Sequence, residues 1–223
     1  MQKTLKPILI AFTVNALLSG SSFASLRATC EEIDAAISAT EDFVEISLSS
    51  DKGEKRESAR TTVHETFTRI ERSLTPETIA ENKKAISKLD QTFAANMMAE
   101  ASLEAMKSYA LLVNGFEEQL PTTLDIAMLD HAGFKLNALL ATTTIDWSDV
   151  IATQSSAKAH IAIARQQLKD RSLSDLLASI EIGLEQAVAA KNKAWTLHSA
   201  QLLLDSVDLM ERSVKNPSKL ACR

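Results

Sequence analysis

Residues 76–119 read PETIAENKKAISKLDQTFAANMMAEASLEAMKSYALLVNGFEEQ. Apolar residues return in this stretch at intervals of about three and four: Ile79, Ile86, Leu89, Phe93, Met97, Leu103, Met106, Ala110, Val113 and Phe116. That spacing lays one greasy stripe along a helix, and nothing in the stretch alternates with the period of two that a half-buried strand would need. Pro76 follows Thr75, so it falls at the first helical position, where a missing amide hydrogen costs nothing. A continuous helix of this length would run about 60 Å at 1.5 Å per residue. The stripe slips between Met98 and Ser102, and a bend or break is expected there.

The same three-and-four periodicity continues on both sides, and helices are expected near residues 26–49, 54–74, 76–119, 121–142, 146–171 and 173–214. Local chemistry marks their starts. Thr29 with Glu32, Thr122 with Asp125 and Ser172 with Asp175 each place an acid three residues after a hydroxyl, the capping-box spacing. Asp51 and Asp146 are further cap candidates, and Pro121 repeats the placement of Pro76. Five Gly and four Pro are too few for the turns of a sandwich or barrel, and no glycine-rich loop is present to cradle a phosphate. The expected fold is an all-α helical bundle in a single domain over 25–223, with long third and sixth helices.

The two halves read as copies of one plan, near 25–119 and 121–214. A shift of 91 matches Ile33 to Leu124, Asp34 to Asp125, Ile37 to Met128, Phe43 to Phe134 and Leu48 to Leu139. A shift of 96 matches His64 and Arg69 to His160 and Arg165, and a shift of 94 pairs Ile86 with Ile180, Val113 with Val207 and Glu117 with Glu211. The shift changes near Asp51–Glu54 and Ser73–Pro76, in expected loops that tolerate insertion. Each half is therefore expected to be a three-helix unit, the two related by a pseudo-two-fold axis.

The start of the chain carries a different signature. Lys3 and Lys6 precede a mostly apolar run from Pro7 to Leu18, and Ser22-Phe23-Ala24 sets small residues where a signal peptidase reads them. An apolar core of about 12 residues is short of the roughly 20 needed to span a bilayer. Cleavage after Ala24 is expected, with export to the periplasm and no membrane insertion afterwards. The chain has a net charge of −5. Cleavage removes Lys3 and Lys6 and no acid, which makes the mature chain two units more negative. With no dense basic tract, nucleic acid is not an expected partner. The two cysteines, Cys30 and Cys222, lie near the ends of the mature chain, and an oxidising compartment would join them.

No catalytic constellation stands out, and a non-enzymatic protein is expected. G-x-S-x-G, H-E-x-x-H and E-x-x-H are absent from the sequence, as are C-x-x-C and C-x-x-C-H. The polar feature common to both halves is His-x-x-x-x-Arg: His64 with Arg69, and His160 with Arg165. Brought together about a two-fold, these four could hold an anion, because the Arg fork matches a carboxylate or phosphate. His131 and His198 each lie in line with apolar residues, and with an acid such as Asp130 or Glu65 they could hold a metal ion or haem between helices. Met97, Met98 and Met106 at helical spacing read as core filling. In outline the chain resembles the helical ligand-sensing and adaptor modules that bacteria place outside the inner membrane, without a motif that ties it to one family. The expected function is recognition of a protein partner or a small ligand, with no cofactor; the alternative is a metal- or haem-binding bundle. The oligomeric state is open.

Overall fold

Thr29 opens the first helix with a complete capping box: its hydroxyl accepts from the Glu32 amide while the Glu32 carboxylate accepts from the Thr29 amide. From there the computed structural model describes residues 27–50, 53–120 and 122–214. Among these residues the chain forms eight α-helices and no strand: α1 (Cys30–Leu48), α2 (Glu54–Ile70), α3 (Pro76–Ala94), α4 (Met98–Gly115), α5 (Leu124–Ala141), α6 (Trp147–Gln167), α7 (Arg171–Ala189) and α8 (Lys193–Val214). Single 3-10 turns follow α2 at Glu71–Ser73 and α4 at Glu117–Gln119. The expected signal segment and Cys222 lie outside the described residues.

The all-α expectation holds, but each long expected helix is two. Residues 76–119 break at Ala95–Met97, a few residues before the slip in the stripe, and 173–214 break at Ala190–Asn192. Each half thus has four helices rather than three. The cause is a single left-handed residue in each joint, Asn96 at φ 57° and Lys191 at φ 49°. Around them the hydrogen bonds coincide at an offset of 95. Ala95 N–H donates to Gln91, Asn96 to Phe93 and Met97 to Thr92; Ala190 donates to Gln186, Lys191 to Val188 and Asn192 to Ala187. This is the way a helix closes its last carbonyls when one residue turns left-handed. Two caps also differ from expectation: Thr123 rather than Thr122 caps α5, and Asp170 rather than Ser172 caps α7. Asp146 caps α6 as expected, and Thr75 caps α3 ahead of Pro76. Asp51 and Pro121 lie outside the described residues.

The left-handed joints give a test. Asn tolerates this conformation through its short polar side chain, whereas Lys has no such compensation. Lys191→Gly is expected to stabilise the protein by about 1 kcal/mol and Asn96→Gly by only a few tenths, read from urea midpoints. A Lys191→Gly protein with a lower midpoint would contradict the backbone assigned to this joint.

Packing orders the helices around a central four. α4 packs against α1 and α5, and α5 packs against α8; α2 covers α1, α3 covers α4, α6 covers α5 and α7 covers α8. The largest apolar cluster runs through Phe43, Phe67, Leu89, Met106, Tyr109, Leu112 and Phe116 in the first half. Two smaller ones, around Leu129, Ile161 and Leu177 and around Leu140, Val150 and Leu184, fill the second. Where α5 meets α8 the approach is close. A Cβ at Gly133 would lie 2.6 Å from Leu204 Cγ and 3.4 Å from the Ala200 carbonyl oxygen, so any larger residue there would have to displace the Leu204 side chain.

Candidate functional site

A bundle of four helices has four edges, and here three are packed: α1/α4, α4/α5 and α5/α8. Along the fourth, α1 and α8 make no extended packing contact among the described residues. A groove of about 690 Å³ lies there instead, with α5 as its floor. Its apolar lining comes from Val44 and Leu48 of α1, Phe134 and Leu140 of α5, and Leu197 and Leu204 of α8. Its charge is one-sided. α1 contributes Glu41, Asp42 and Glu45, α5 contributes Asp130 and α8 contributes Asp205 and Asp208, against Lys193 at one end as the single basic residue of the lining among the described residues.

The offset of 95 at which the two joints coincide allows α4 and α8 to be compared position by position. α4 positions Ser102, Met106, Tyr109, Val113 and Phe116 correspond to α8 positions Leu197, Gln201, Leu204, Asp208 and Glu211. All five are buried, Phe116 as the C-cap of α4, and Tyr109 meets α5 directly, donating its hydroxyl to the Ala127 carbonyl at 3.0 Å and stacking on His131. The five α8 counterparts are half-buried or exposed. Positions facing the core at both sites agree: Ala101 with Thr196, Ala105 with Ala200, Ser108 with Leu203 and Leu112 with Val207 are all buried. The two helices therefore share their inner face and differ on one seam, apolar and closed in α4, acidic and open in α8. Acids on α1 facing acids on α8 repel across that seam, which resists its closure.

At the deep end the carboxyls are crowded enough to hold a proton. Burial pushes Glu41 up to about 10, and the neighbouring Asp130 and Glu211 carboxyls add to the effect. Asp130 rises to about 7, again chiefly by burial, with the Glu211, Asp208 and Glu45 charges adding and the Glu41 hydrogen bond working against them. Both shifts describe one arrangement: Glu41 keeps its proton and donates it to the Asp130 carboxylate, because two adjacent buried carboxylates cannot both ionise cheaply. Burial likewise raises Glu45, and Asp42 and Asp208 add to it. The Tyr109 hydroxyl, buried beneath the pair, is driven well above its ordinary range by desolvation and the Asp130 and Glu41 charges. Glu41 feels the charge of Glu211 and Glu45 that of Asp208, the order of an antiparallel α1 and α8.

The residues singled out in the sequence are placed elsewhere. His64 Nε2 lies 2.9 Å from Asp90 Oδ1, and Arg60 holds the same oxygen at 2.7 Å, which stitches α2 to α3. Arg69 faces Glu65 at 3.8 Å on the exposed side of α2. His160 Nδ1 lies 2.9 Å from Asp125 Oδ1, joining α6 to α5, and Arg165 donates to Ser174. The partners the structure gives these four residues lie in their own halves. His131 is half-buried against Tyr109 with a hydrogen bond to the Met106 backbone, and desolvation lowers it to about 4. His198 is exposed beside Trp195, ring centroids 6.3 Å apart. Among the described residues no group of three or more His, Cys, Asp or Glu is arranged to hold a metal ion, and no helix is long and apolar enough to cross a membrane.

Sequence reading passed over Glu41 and Asp208, although a signal existed. Glu41 falls between Ile37 and Val44 at steps of four and three, inside the apolar stripe of α1, and Asp208 follows Leu204 by four in α8. An acid at a stripe position marks either a polar seam or an unfilled one. Compared with known proteins, the chain matches no family model, no curated protein and no solved structure.

Proposed function

We propose that this chain is an exported, non-enzymatic binding protein and that the groove between α1 and α8 is its recognition surface, selective for cationic groups. The observation that carries this reading is the groove itself. Its volume is in the range of ligand sites, its lining is partly apolar, and its ring of acids faces a single lysine. An ammonium or guanidinium on an apolar stem satisfies both halves of that lining, neutralising the carboxylates while its methylenes cover Leu197, Leu204 and Phe134. Export is supported by Lys3, Lys6, the apolar run to Leu18 and Ser22-Phe23-Ala24. The descent of both halves from one plan is supported by the matching joints at 95–97 and 190–192. On this reading duplication supplied the scaffold, and the substitution of acids into one seam supplied the site.

The test is a thermal-shift titration of the mature protein against cationic probes of increasing size: arginine ethyl ester, spermine and a lysine-rich peptide. An Asp205→Lys/Asp208→Lys variant is measured in parallel. Stabilisation of the wild type by several degrees with any probe, lost in the variant, is the expected result. No shift with any of the three, or an equal shift in the variant, removes the groove as a recognition surface.

A further inference from the structure

The outer face of the α7/α8 pair is apolar where the outer face of α3/α4 is charged. Trp195, Leu202 and Leu209 follow one another at steps of seven along α8 and are 63%, 38% and 46% exposed; Leu176 of α7 is 40% exposed. A step of seven returns to within about 20° on a helix, so the three form one row, roughly 130° round α8 from the groove lining and on the side toward α7. Gly183 fixes how α7 lies against that row. A Cβ there would come within 3.7 Å of Ser199 Oγ, and Ser199 stands between Trp195 and Leu202 along α8. Leu176, seven residues before Gly183, therefore shares the flank of α7 that faces α8 and adds to the row. α3 and α7 begin 95 residues apart, and so do α4 and α8. At that offset Leu176, Trp195, Leu202 and Leu209 stand where the first half has Glu81, Glu100, Lys107 and Asn114, and none of the eight is buried. The bundle does not need apolar side chains at these four places, because in the first half polar ones serve there.

We propose that two copies of the mature chain associate through this face, about a two-fold axis that crosses α8 at Leu202. The spacing is self-complementary, as a contact between identical surfaces requires. With Leu202 against Leu202 of the second copy, equal steps of seven set Trp195 on Leu209 and Leu209 on Trp195. The area is sufficient. At about 250 Å² for a whole Trp surface and about 180 Å² for a Leu, the four side chains expose on the order of 400 Å² per copy, the size of patch that marks an interaction site. Two such patches make on the order of 800 Å² of apolar contact, and the residues around them bring the total to the roughly 1,200 Å² at which specific interfaces begin. Charge selects the same face. The chain is acidic, with a net charge of −5, so two copies repel unless they meet where acids are missing. Between the apolar side chains Ser179 and Gly183 stand where the first half has Lys84 and Lys88, so none of these six positions carries a charge in the second half. The chain's own ends supply no cover: residues 215–223 hold Leu220 as their one large apolar side chain, and residues 1–24 are removed on export. The groove lies on the other flank of α8, so the proposal stands apart from the reading of that groove, and a dimer joined this way presents two of them.

The test is sedimentation velocity of the mature full-length chain from about 1 to about 100 μM. The expected result is the mass of two chains at the upper end of that range. Trp195→Glu/Leu202→Lys/Leu209→Asn gives the face the side chains that the first half carries at the same places. This variant is expected to keep the helical circular-dichroism signal and to stay monomeric throughout, a loss of association of at least a hundredfold. Glu100→Ala/Asn114→Ala, on the first-half face, is expected to dimerise like the wild type. A second measurement does not depend on how the triple variant folds. Trp147→Phe leaves Trp195 as the only tryptophan, and its emission should move to the red on dilution over the range in which the mass falls from two chains to one. A wild type that is monomeric at about 100 μM overturns the proposal. So does a dimer that survives the triple substitution, a dimer lost in Glu100→Ala/Asn114→Ala, or a dissociation that leaves Trp195 emission unchanged.

Discussion

Reduction of the mature protein is expected to lower its melting temperature by about 10–20 °C, the effect of opening a bridge between Cys30 and Cys222. The two cysteines enclose a loop of about 190 residues, and in the chain-entropy account such a cross-link stabilises by about 5 kcal/mol. The described part of the fold makes the closure reachable. Glu211 near the end of α8 lies by Glu41 of α1, and α8 runs antiparallel to α1, so the chain leaves α8 heading toward the start of α1. From Glu41 back to Cys30 is about 17 Å along the helix at 1.5 Å per residue. The segment from Val214 to Cys222 spans at most about 26–29 Å, longer than that gap. Cys30→Ser and Cys222→Ser should each melt like the reduced wild type and should no longer respond to dithiothreitol. Two reactive thiols in the oxidised, denatured protein, with a melt indifferent to reductant, would show that the bridge does not exist.

The sequence made the helical class legible because the periodicity of residues such as Leu89, Leu112, Leu177 and Leu184 is dictated by burial, and burial is what the eight helices share. It did not reveal the two joints. Neither Asn96 nor Lys191 is glycine or proline, and a left-handed turn made by an ordinary residue leaves no compositional mark; the apolar stripes pass across both joints almost uninterrupted. The comparison of the two halves left its register open. Apolar matches at 91, 94 and 96 were each locally good, and only backbone hydrogen bonds at the joints select 95 for α4 against α8. The histidines were misleading for a related reason. His64 and His160 occupy similar places in their halves, yet they pair with acids on different helices, Asp90 of α3 and Asp125 of α5. A shared pattern along the chain does not fix a shared partner across it.

The groove was illegible for the opposite reason. Each of its acids is unremarkable alone, since a carboxylate at the edge of a helical stripe is normally solvated. Only the comparison of Val113 with Asp208 and Phe116 with Glu211, 95 residues apart and opposite in chemistry, sets the closed seam beside the open one. Crowding carboxyls along that open seam carries a stability cost.

That cost should be visible as an unusual pH dependence, with the protein losing stability as pH rises from about 5 to about 8. The sign follows from where the protons reside. In the unfolded chain Glu41 and Asp130 titrate near 4.5 and 3.8, whereas in the folded chain burial raises them to about 10 and about 7. Between those limits the folded state holds more protons than the unfolded one, so the slope of unfolding free energy with pH is negative. The stabilisation associated with the shared proton is complete below the unfolded values and drains away as pH climbs toward the folded ones. One retained proton amounts to at most about 1.4 kcal/mol per pH unit, or about 3 kcal/mol between pH 5 and pH 7. Glu41→Gln keeps a hydrogen-bond donor for Asp130 and removes the titration. It should raise the melting temperature at pH 8 above that of the wild type and reduce the slope by half or more. A wild-type melt that is flat or rises over this interval, or a Glu41→Gln protein with the wild-type slope, would show that no proton is stored between α1 and α5. The same proton links stability to recognition. A cationic side chain entering the groove lowers the affinity of Glu41 and Asp130 for it, so binding should release a proton near neutral pH and tighten as pH rises, the reverse of the trend in stability. Calorimetry of the basic peptide in two buffers of different ionisation enthalpy measures that release directly. Identical apparent enthalpies in both would separate the carboxyl pair from the binding surface beside it.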